Sequence, residues 1–369
     1  MPSSTSSSNI TYREVPEQPC LRLIATALVL VVIAIIGWEI LARSMQHKPG
    51  TFHGFAERWA VERHRLDKPN DYRVVLTGSS RMLWGADLDI MEAGFGTRPL
   101  QLALPGTSPA LMVKDIVNNT KFDGLVVVGV TPFLFNRLDE GFFGGAALKR
   151  YKSESPSQKS GAKIHGFLSK YFGFLDEAFD LFKLIERYSD FPVREGAENL
   201  MATDWKLGDG YADRQMDMWP PVEQVGSFDN TQITNFWSGG LGRPPEKPER
   251  MAEMASEALE YFTPLVEKLR ERGGDMVFIR MPSSGGYLKH DKKTDYRGLT
   301  WDVMVKDLDA PAIHTFDYPQ LSSELDIPEW SHLSRASQDL WSRDIIPVIE
   351  RTYEQYRGRS VYDIIKADQ

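Results

Sequence analysis

One cysteine, Cys20, occurs in 369 residues, which excludes an intramolecular disulfide and any zinc site built on cysteine pairs. A basic surplus is also lacking. Lys and Arg number 43 against 51 Asp and Glu, a formal charge of −8. Nucleic acid is excluded as the main partner, because phosphate binding draws on clustered cations. There is no H-E-x-x-H pair, no glycine-rich phosphate loop and no G-x-G-x-x-G behind a strand. Zinc-peptidase, NTPase and dinucleotide chemistries therefore have no footing. Asp87-Leu88-Asp89 is too isolated for a metal site, and neither metal nor cofactor is expected. No internal repeat or low-complexity tract stands out beyond the N-terminal serines. What is present, 42% apolar and 25% charged residues, is the profile of a folded globular protein.

Residues 1–20 are polar and rich in Ser and read as a disordered tail. Leu23 to Trp38 are sixteen residues without a charge, and extension to Ala42 is interrupted only by Glu39. At about 1.5 Å per residue, that length matches a hydrocarbon core of roughly 30 Å. Residues 21–43 are therefore read as a transmembrane anchor, with Trp38 and Arg43 at its interfacial end and Glu39 at headgroup depth. A cleaved signal peptide is the competing reading. Against it, the run is long for a signal sequence and no A-x-A-like site follows. Cys20 precedes the apolar run, whereas a lipoprotein cysteine would follow one. Arg13 and Arg22 on one side balance Arg43 and Lys48 on the other, so charge leaves the orientation open. The default for a lone N-terminal anchor puts the large domain, residues 50–369, outside.

In that domain residues 52–67, with Phe55, Trp59, Ala60 and His64, suggest an amphipathic helix. Short β-branched runs follow at 73–78, 100–104, 125–130, 276–280 and 313–316. Helical patterns lie between or after them. One spans 109–119; a second, 248–272, carries Met251, Met254, Ala258, Phe262, Leu265, Val266 and Leu269 on one face; the last, 334–355, carries Leu340, Trp341, Ile345, Val348 and Ile349. Strands separated by such helices imply right-handed βαβ units and an α/β fold, a parallel sheet covered on both faces. Residues 136–247 break the rhythm with an apolar patch (Phe167 to Leu184) and a Gly/Pro/Trp-rich passage, and read as a partly helical insertion between strands three and four.

Open parallel sheets bind ligands beyond the carboxyl ends of their strands. The residues expected there are Ser79-Ser80-Arg81, Pro105-Gly106-Thr107-Ser108, Thr131-Pro132, Ser283-Ser284-Gly285-Gly286 and the segment from Asp326 to His332. A hydroxyl nucleophile, approachable backbone N–H groups and a carboxylate–histidine pair on one edge are the requirements of acyl transfer through serine.

These residues resemble the SGNH/GDSL hydrolase superfamily over roughly 70–135 and 270–355. Gly78-Ser79-Ser80-Arg81 is similar to the first block, which usually has Asp before the nucleophile. Leu104-Pro105-Gly106 is similar to the second, and Glu329-Trp330-Ser331-His332-Leu333-Ser334 to the closing D-x-x-H, with Glu for Asp. The third block, G-x-N-D, falls on Gly129-Val130-Thr131-Pro132, where Thr131 stands in place of Asn. The nearest likeness is to membrane-anchored bacterial SGNH-like proteins associated with cell-envelope glycan acylation. The resemblance implies a flavodoxin-like three-layer sandwich with a parallel sheet. It also implies Ser80 as nucleophile, His332 as general base and Glu329 as its orienting acid. The N–H groups of Ser80 and Gly106 would form the oxyanion hole, with Thr131 in the third donor's place. Losing one such donor costs roughly a hundredfold or more in rate.

Each residue also has a plainer reading. Ser80 suits a helix N-cap, and His332 a surface position ahead of a helix capped by Ser334. Asp326 rivals Glu329 as orienting acid, Gly106 after Pro105 is a turn signal, and His314 reads as a satisfied core histidine. Arg81 and Arg280 either bind an anionic substrate or pair with nearby acids. Trp219, Phe236 and Trp237 read as local core rather than a sugar-stacking platform.

Two functions follow. The first is a membrane-anchored serine-dependent acyl-ester hydrolase or O-acyltransferase, at a bacterial inner membrane and facing outward, acting on an envelope glycan or an acylated small molecule. The second is a catalytically weak SGNH-like binding or assembly subunit, partnered with a membrane-bound acyltransferase or an export complex.

Overall fold

The computed structural model describes residues 18–51, 54–68, 72–135, 137–138, 141–176, 179, 206–241 and 246–366. Most of the tail expected at 1–20, and part of the apolar patch expected at 167–184, lie outside the described residues.

Seven strands form among the described residues: β1 (Val74–Thr77), β2 (Leu100–Gln101), β3 (Leu125–Val130), β4 (Gly208–Gly210), β5 (Met216–Met218), β6 (Asp275–Arg280) and β7 (Ala312–His314). β2, β1, β3, β6 and β7 lie side by side in that order as a five-stranded, all-parallel sheet, and β4 and β5 make a separate antiparallel ribbon. The run expected at 100–104 is only briefly a regular strand. Its chain nevertheless continues along β1, with the N–H groups of Leu102 and Leu104 donating to Leu76 and Gly78 at 2.8 and 2.9 Å.

A two-residue side-chain period sorts the strands between two cores. Leu125 and Val127 of β3 and Val277 and Ile279 of β6 face the helices Leu88–Phe95 and Arg335–Arg357. Val126 and Val128 of β3 and Met276 and Phe278 of β6 face the helices Pro109–Asn119 and Pro248–Glu271. Both faces are apolar because both are covered. The helix bounds expected from periodicity hold closely for Pro109–Asn119, Pro248–Glu271 and Arg335–Arg357, while Leu88–Phe95 was not foreseen. Two residues expected on these faces lie outside the cores: Met254 is only partly buried and Leu340 is 41% exposed, while the hydroxyl of Ser342 reaches the turn between the helices Ser80–Leu83 and Leu88–Phe95, accepting from the Asp87 N–H at 2.7 Å.

Phe262 is fully buried between the helix Pro248–Glu271 and β6, stacked on Phe135 at 4.9 Å and edge-on to Phe278 at 5.5 Å. Phe262→Ala leaves a cavity that rigid strands cannot close. It should cost about 3–5 kcal/mol, read from urea unfolding of the full chain; a loss below about 1 kcal/mol would show that this core collapses onto the gap.

The N-terminal helix Cys20–Ser44 has 25 residues and is the one among the described residues long and apolar enough to cross a membrane. Leu28 to Ile33 are each more than half exposed, so no part of the domain covers them. Its end is fastened to the chain that follows β3. Glu39 accepts the N–H groups of Gly173 and Phe174 at 3.0 and 3.1 Å, and Arg43 donates to the Tyr171 carbonyl at 3.3 Å. Beyond it, His47 meets Asp176 at 2.8 Å, and the buried Lys206 ammonium bridges Asp176 and Asp209 at 2.5 and 2.6 Å.

Candidate active site

β1 ends at Gly78, whose φ of +144° suits glycine alone; a Cβ there would come within 2.7 Å of the Gly129 carbonyl oxygen on β3. This back-to-back pair lets the loops after β1 and β3 run side by side. Ser79 caps the short helix Ser80–Leu83 by accepting the Arg81 N–H at 3.4 Å. The N-cap is thus Ser79, not Ser80, which the plainer reading had placed there. Ser80 is left half-buried, with neither its hydroxyl nor its N–H hydrogen-bonded among the described residues.

Two of the positions where the chain departs from the resembled blocks meet each other. Ser79 Oγ and Thr131 Oγ1 lie 2.5 Å apart, both buried. Either hydroxyl can donate in this pair; where Ser79 does, the Thr131 hydroxyl hydrogen is left to donate elsewhere. The bond from Leu104 N–H to Gly78 O brings the second loop alongside, and Gly106, at φ +57°, is exposed there with its N–H unengaged among the described residues.

The histidine sits in the turn after β7, ahead of a helix capped by Ser334 as the spacing suggested. It is not a surface residue. His332 is 1% exposed and Glu329 is fully buried. Glu329 Oε1 accepts the His332 N–H at 2.5 Å and meets Nδ1 at 3.0 Å, while Oε2 accepts the Trp237 indole N–H at 2.5 Å. Asp326, the rival acid, is exposed, and its backbone N–H donates to Ser337. A carboxylate on Nδ1 fixes the proton there and leaves Nε2 with its lone pair. Nε2 is buried and has no hydrogen-bond partner, so Ser80 and His332 share an edge of the sheet without a bond between them.

Side chains around them join the two segments. Trp84, just beyond the Ser80 helix, lies against the His332 ring at 5.3 Å, and Trp237 lies 6.0 Å from the same ring. Trp237 also meets Tyr287 at 6.0 Å, and Tyr287 stacks on the exposed Phe133 at 5.7 Å. Burial raises the Tyr287 hydroxyl to about 12, keeping it protonated. Trp330 holds a φ of +75°, rare for a bulky residue, with its ring over Gly285 and Gly286, where a Cβ would collide with it.

Trp84 and Tyr287 are the residues that sequence reasoning missed as site components; Trp330 lay in the segment expected there, with no role given to it. The Gly285-Gly286 pair was a signal that something large needed room. Of the three aromatics weighed as core, Trp219 is 3% exposed beneath Lys206 and is core, while Trp237 belongs to the site. Asp87 caps the helix Leu88–Phe95 by accepting the Ile90 N–H, and no cluster suited to a metal ion occurs among the described residues.

His314 corrects another expectation. It is buried, but its Nδ1 has no partner, so it is not satisfied. Burial, then the nearby Arg280 and Arg297, lower it to about 4. The folded state thus resists a proton that the unfolded chain accepts near pH 6.5, so stability is full above that pH and falls as pH drops toward 4. Between pH 7 and 5 the loss should be about 1–2 kcal/mol, and His314→Phe should remove it in parallel urea titrations; an unchanged pH slope would assign the dependence to other groups.

No protein-family model matches the chain, and no curated protein matches it at a significant level.

Proposed function

We propose that this protein is a membrane-anchored, serine-dependent acyl-ester enzyme, a hydrolase or an O-acyltransferase, facing outward from a bacterial inner membrane and acting on an envelope glycan. The observation that carries the reading is the buried Glu329–His332 pair, whose unbonded Nε2 lies in the segment packed on the Ser80 helix. The strand order, second-first-third-fourth-fifth in chain order, supports a flavodoxin-like arrangement of the SGNH kind with 136–247 as its insertion.

In this chemistry the Ser80 hydroxyl attacks the ester carbonyl and His332 Nε2 takes its proton. The Ser80 and Gly106 N–H groups and the Thr131 hydroxyl receive the oxyanion. The protonated imidazole, held by Glu329, then returns its proton to the departing alcohol, leaving an acyl-serine. Water or a sugar hydroxyl, deprotonated by His332, releases the acyl group. The choice between them separates hydrolysis from transfer.

The assembly-subunit reading is favoured by one observation, the absence of any hydrogen bond between Ser80 and His332. A fluorophosphonate probe on the detergent-purified full chain decides between them. Labelling that is lost in Ser80→Ala and strongly reduced in His332→Ala is expected; no labelling of folded protein, together with no ester turnover, overturns the enzyme. C-terminal reporter fusions test the orientation, and a cytoplasmic signal would reverse it.

A further inference from the structure

Among the described residues, the buried guanidinium groups donate from their terminal amino groups, with one exception. Arg214 donates to the carbonyls of Gln101, Ala103 and Phe55. Arg63 donates to Asp115, Asp67 and the Asn119 carbonyl. Arg280 reaches Asp291, Ser283 and the Met281 carbonyl, so of the two arginines weighed for an anionic substrate it is the one that pairs with an acid. Arg81 is 3% exposed and makes a single side-chain hydrogen bond, from Nε to Ser331 Oγ at 3.3 Å. Its guanidinium lies over the Tyr287 ring at 4.9 Å, and its Nη1 is buried without a partner. No carboxylate pairs with it among the described residues.

A buried guanidinium with an unbonded edge is costly, and such groups are normally hydrogen-bonded. Burial lowers the Arg81 pKa, and the Asp291 and Glu329 carboxylates oppose that shift from beyond hydrogen-bond reach. Its position is what gives the deficit meaning. Arg81 follows the candidate nucleophile directly, its hydrogen-bond partner Ser331 precedes His332, and the aromatic beneath it, Tyr287, touches Trp237 beside the same imidazole. With Nε engaged, the open side is the pair of terminal amino groups, a fork whose spacing matches the two oxygens of a carboxylate.

We infer that Arg81 is the anion subsite of this centre, and that the substrate carries a carboxylate, on the sugar as in a uronic acid or on the acyl group as in a succinyl ester. This rests on the acyl-ester reading of the same site and narrows its substrate class. Neutral glycans would offer its unbonded edge no charge-assisted partner; an acidic one would complete it and hold the reacting ester beside Ser80.

The test is binding, followed by the fluorescence of the site tryptophans in the full chain, with D-glucuronate, succinate and D-glucose as probes in the wild type and in Ser80→Ala. Saturable binding of glucuronate or succinate, at least about tenfold tighter than glucose and weakened by added salt, is expected in both proteins. The tighter of the two acids tells whether the charge belongs to the sugar or to the acyl group. Arg81→Gln should abolish the preference and Arg81→Lys restore part of it. Equal binding of acid and neutral probes by the wild type, or no saturable binding of either acid, overturns the subsite without recourse to a variant. Acid-selective binding without fluorophosphonate labelling would keep the subsite and overturn the chemistry; labelling without acid selectivity would do the reverse.

Discussion

Ser80→Ala should lower turnover of an activated acetyl ester by about 10³-fold or more, to the rate of buffer, while leaving the unfolding midpoint nearly unchanged. The structural side of this expectation is that the Ser80 hydroxyl makes no hydrogen bond among the described residues, so removing it breaks none. Capping of the short helix is carried by Ser79, and the alanine substitution leaves that interaction in place. The paired control is Ser79→Ala, which should lower the melting temperature and reduce turnover by a smaller factor through loss of the bond that orients Thr131. A Ser80→Ala protein retaining a tenth of wild-type turnover would end the case for a serine nucleophile.

The second large effect is at Glu329. Three donors converge on its two oxygens: the His332 N–H, the ring Nδ1–H and the Trp237 indole N–H. An amide offers one oxygen and one NH2 group, so Glu329→Gln must set a donor against a donor on at least one side. If the NH2 faces the ring, Nδ1 loses its acceptor and the imidazole turns or takes the wrong tautomer. The kcat should fall by about 10²- to 10⁴-fold with little change in KM. Trp237→Phe removes one donor and leaves the His332 bond intact, so it should cost much less. Equal losses in the two variants would show that Glu329 serves mainly to hold Trp237 in place.

Much of the scaffold was legible because burial on both faces of a parallel sheet leaves unbroken apolar runs. Leu125 to Val130, the whole of β3, is such a run. The long helices announced themselves by their apolar stripes, and Ser334 by its position ahead of one. Local signals were silent on contacts made across long sequence distances. Nothing around Trp237 marks it as the partner of an acid 92 residues later, and nothing around Thr131 points to a bond with Ser79, 52 residues earlier. His314 misled for a related reason. An apolar neighbourhood foretells burial, but not whether a hydrogen-bond partner will be waiting. Arg81 and Arg280 looked equivalent as two cations near one edge; Asp291, supplied by the helix Gly285–Lys293, acts on both but is hydrogen-bonded to Arg280 alone.

The fastening of Glu39, Arg43 and His47 to residues 171–176 has a mechanical corollary. A head on a slack leash sweeps a hemisphere, whereas one bolted at the foot of its post keeps a constant elevation and bearing. If the post is embedded in lipid, whatever the head binds must come to a stationary station rather than be chased by a swinging one. Insertion of a flexible spacer after Ser44 would then uncouple the head from its mount while leaving the surroundings of Ser80 and His332 untouched.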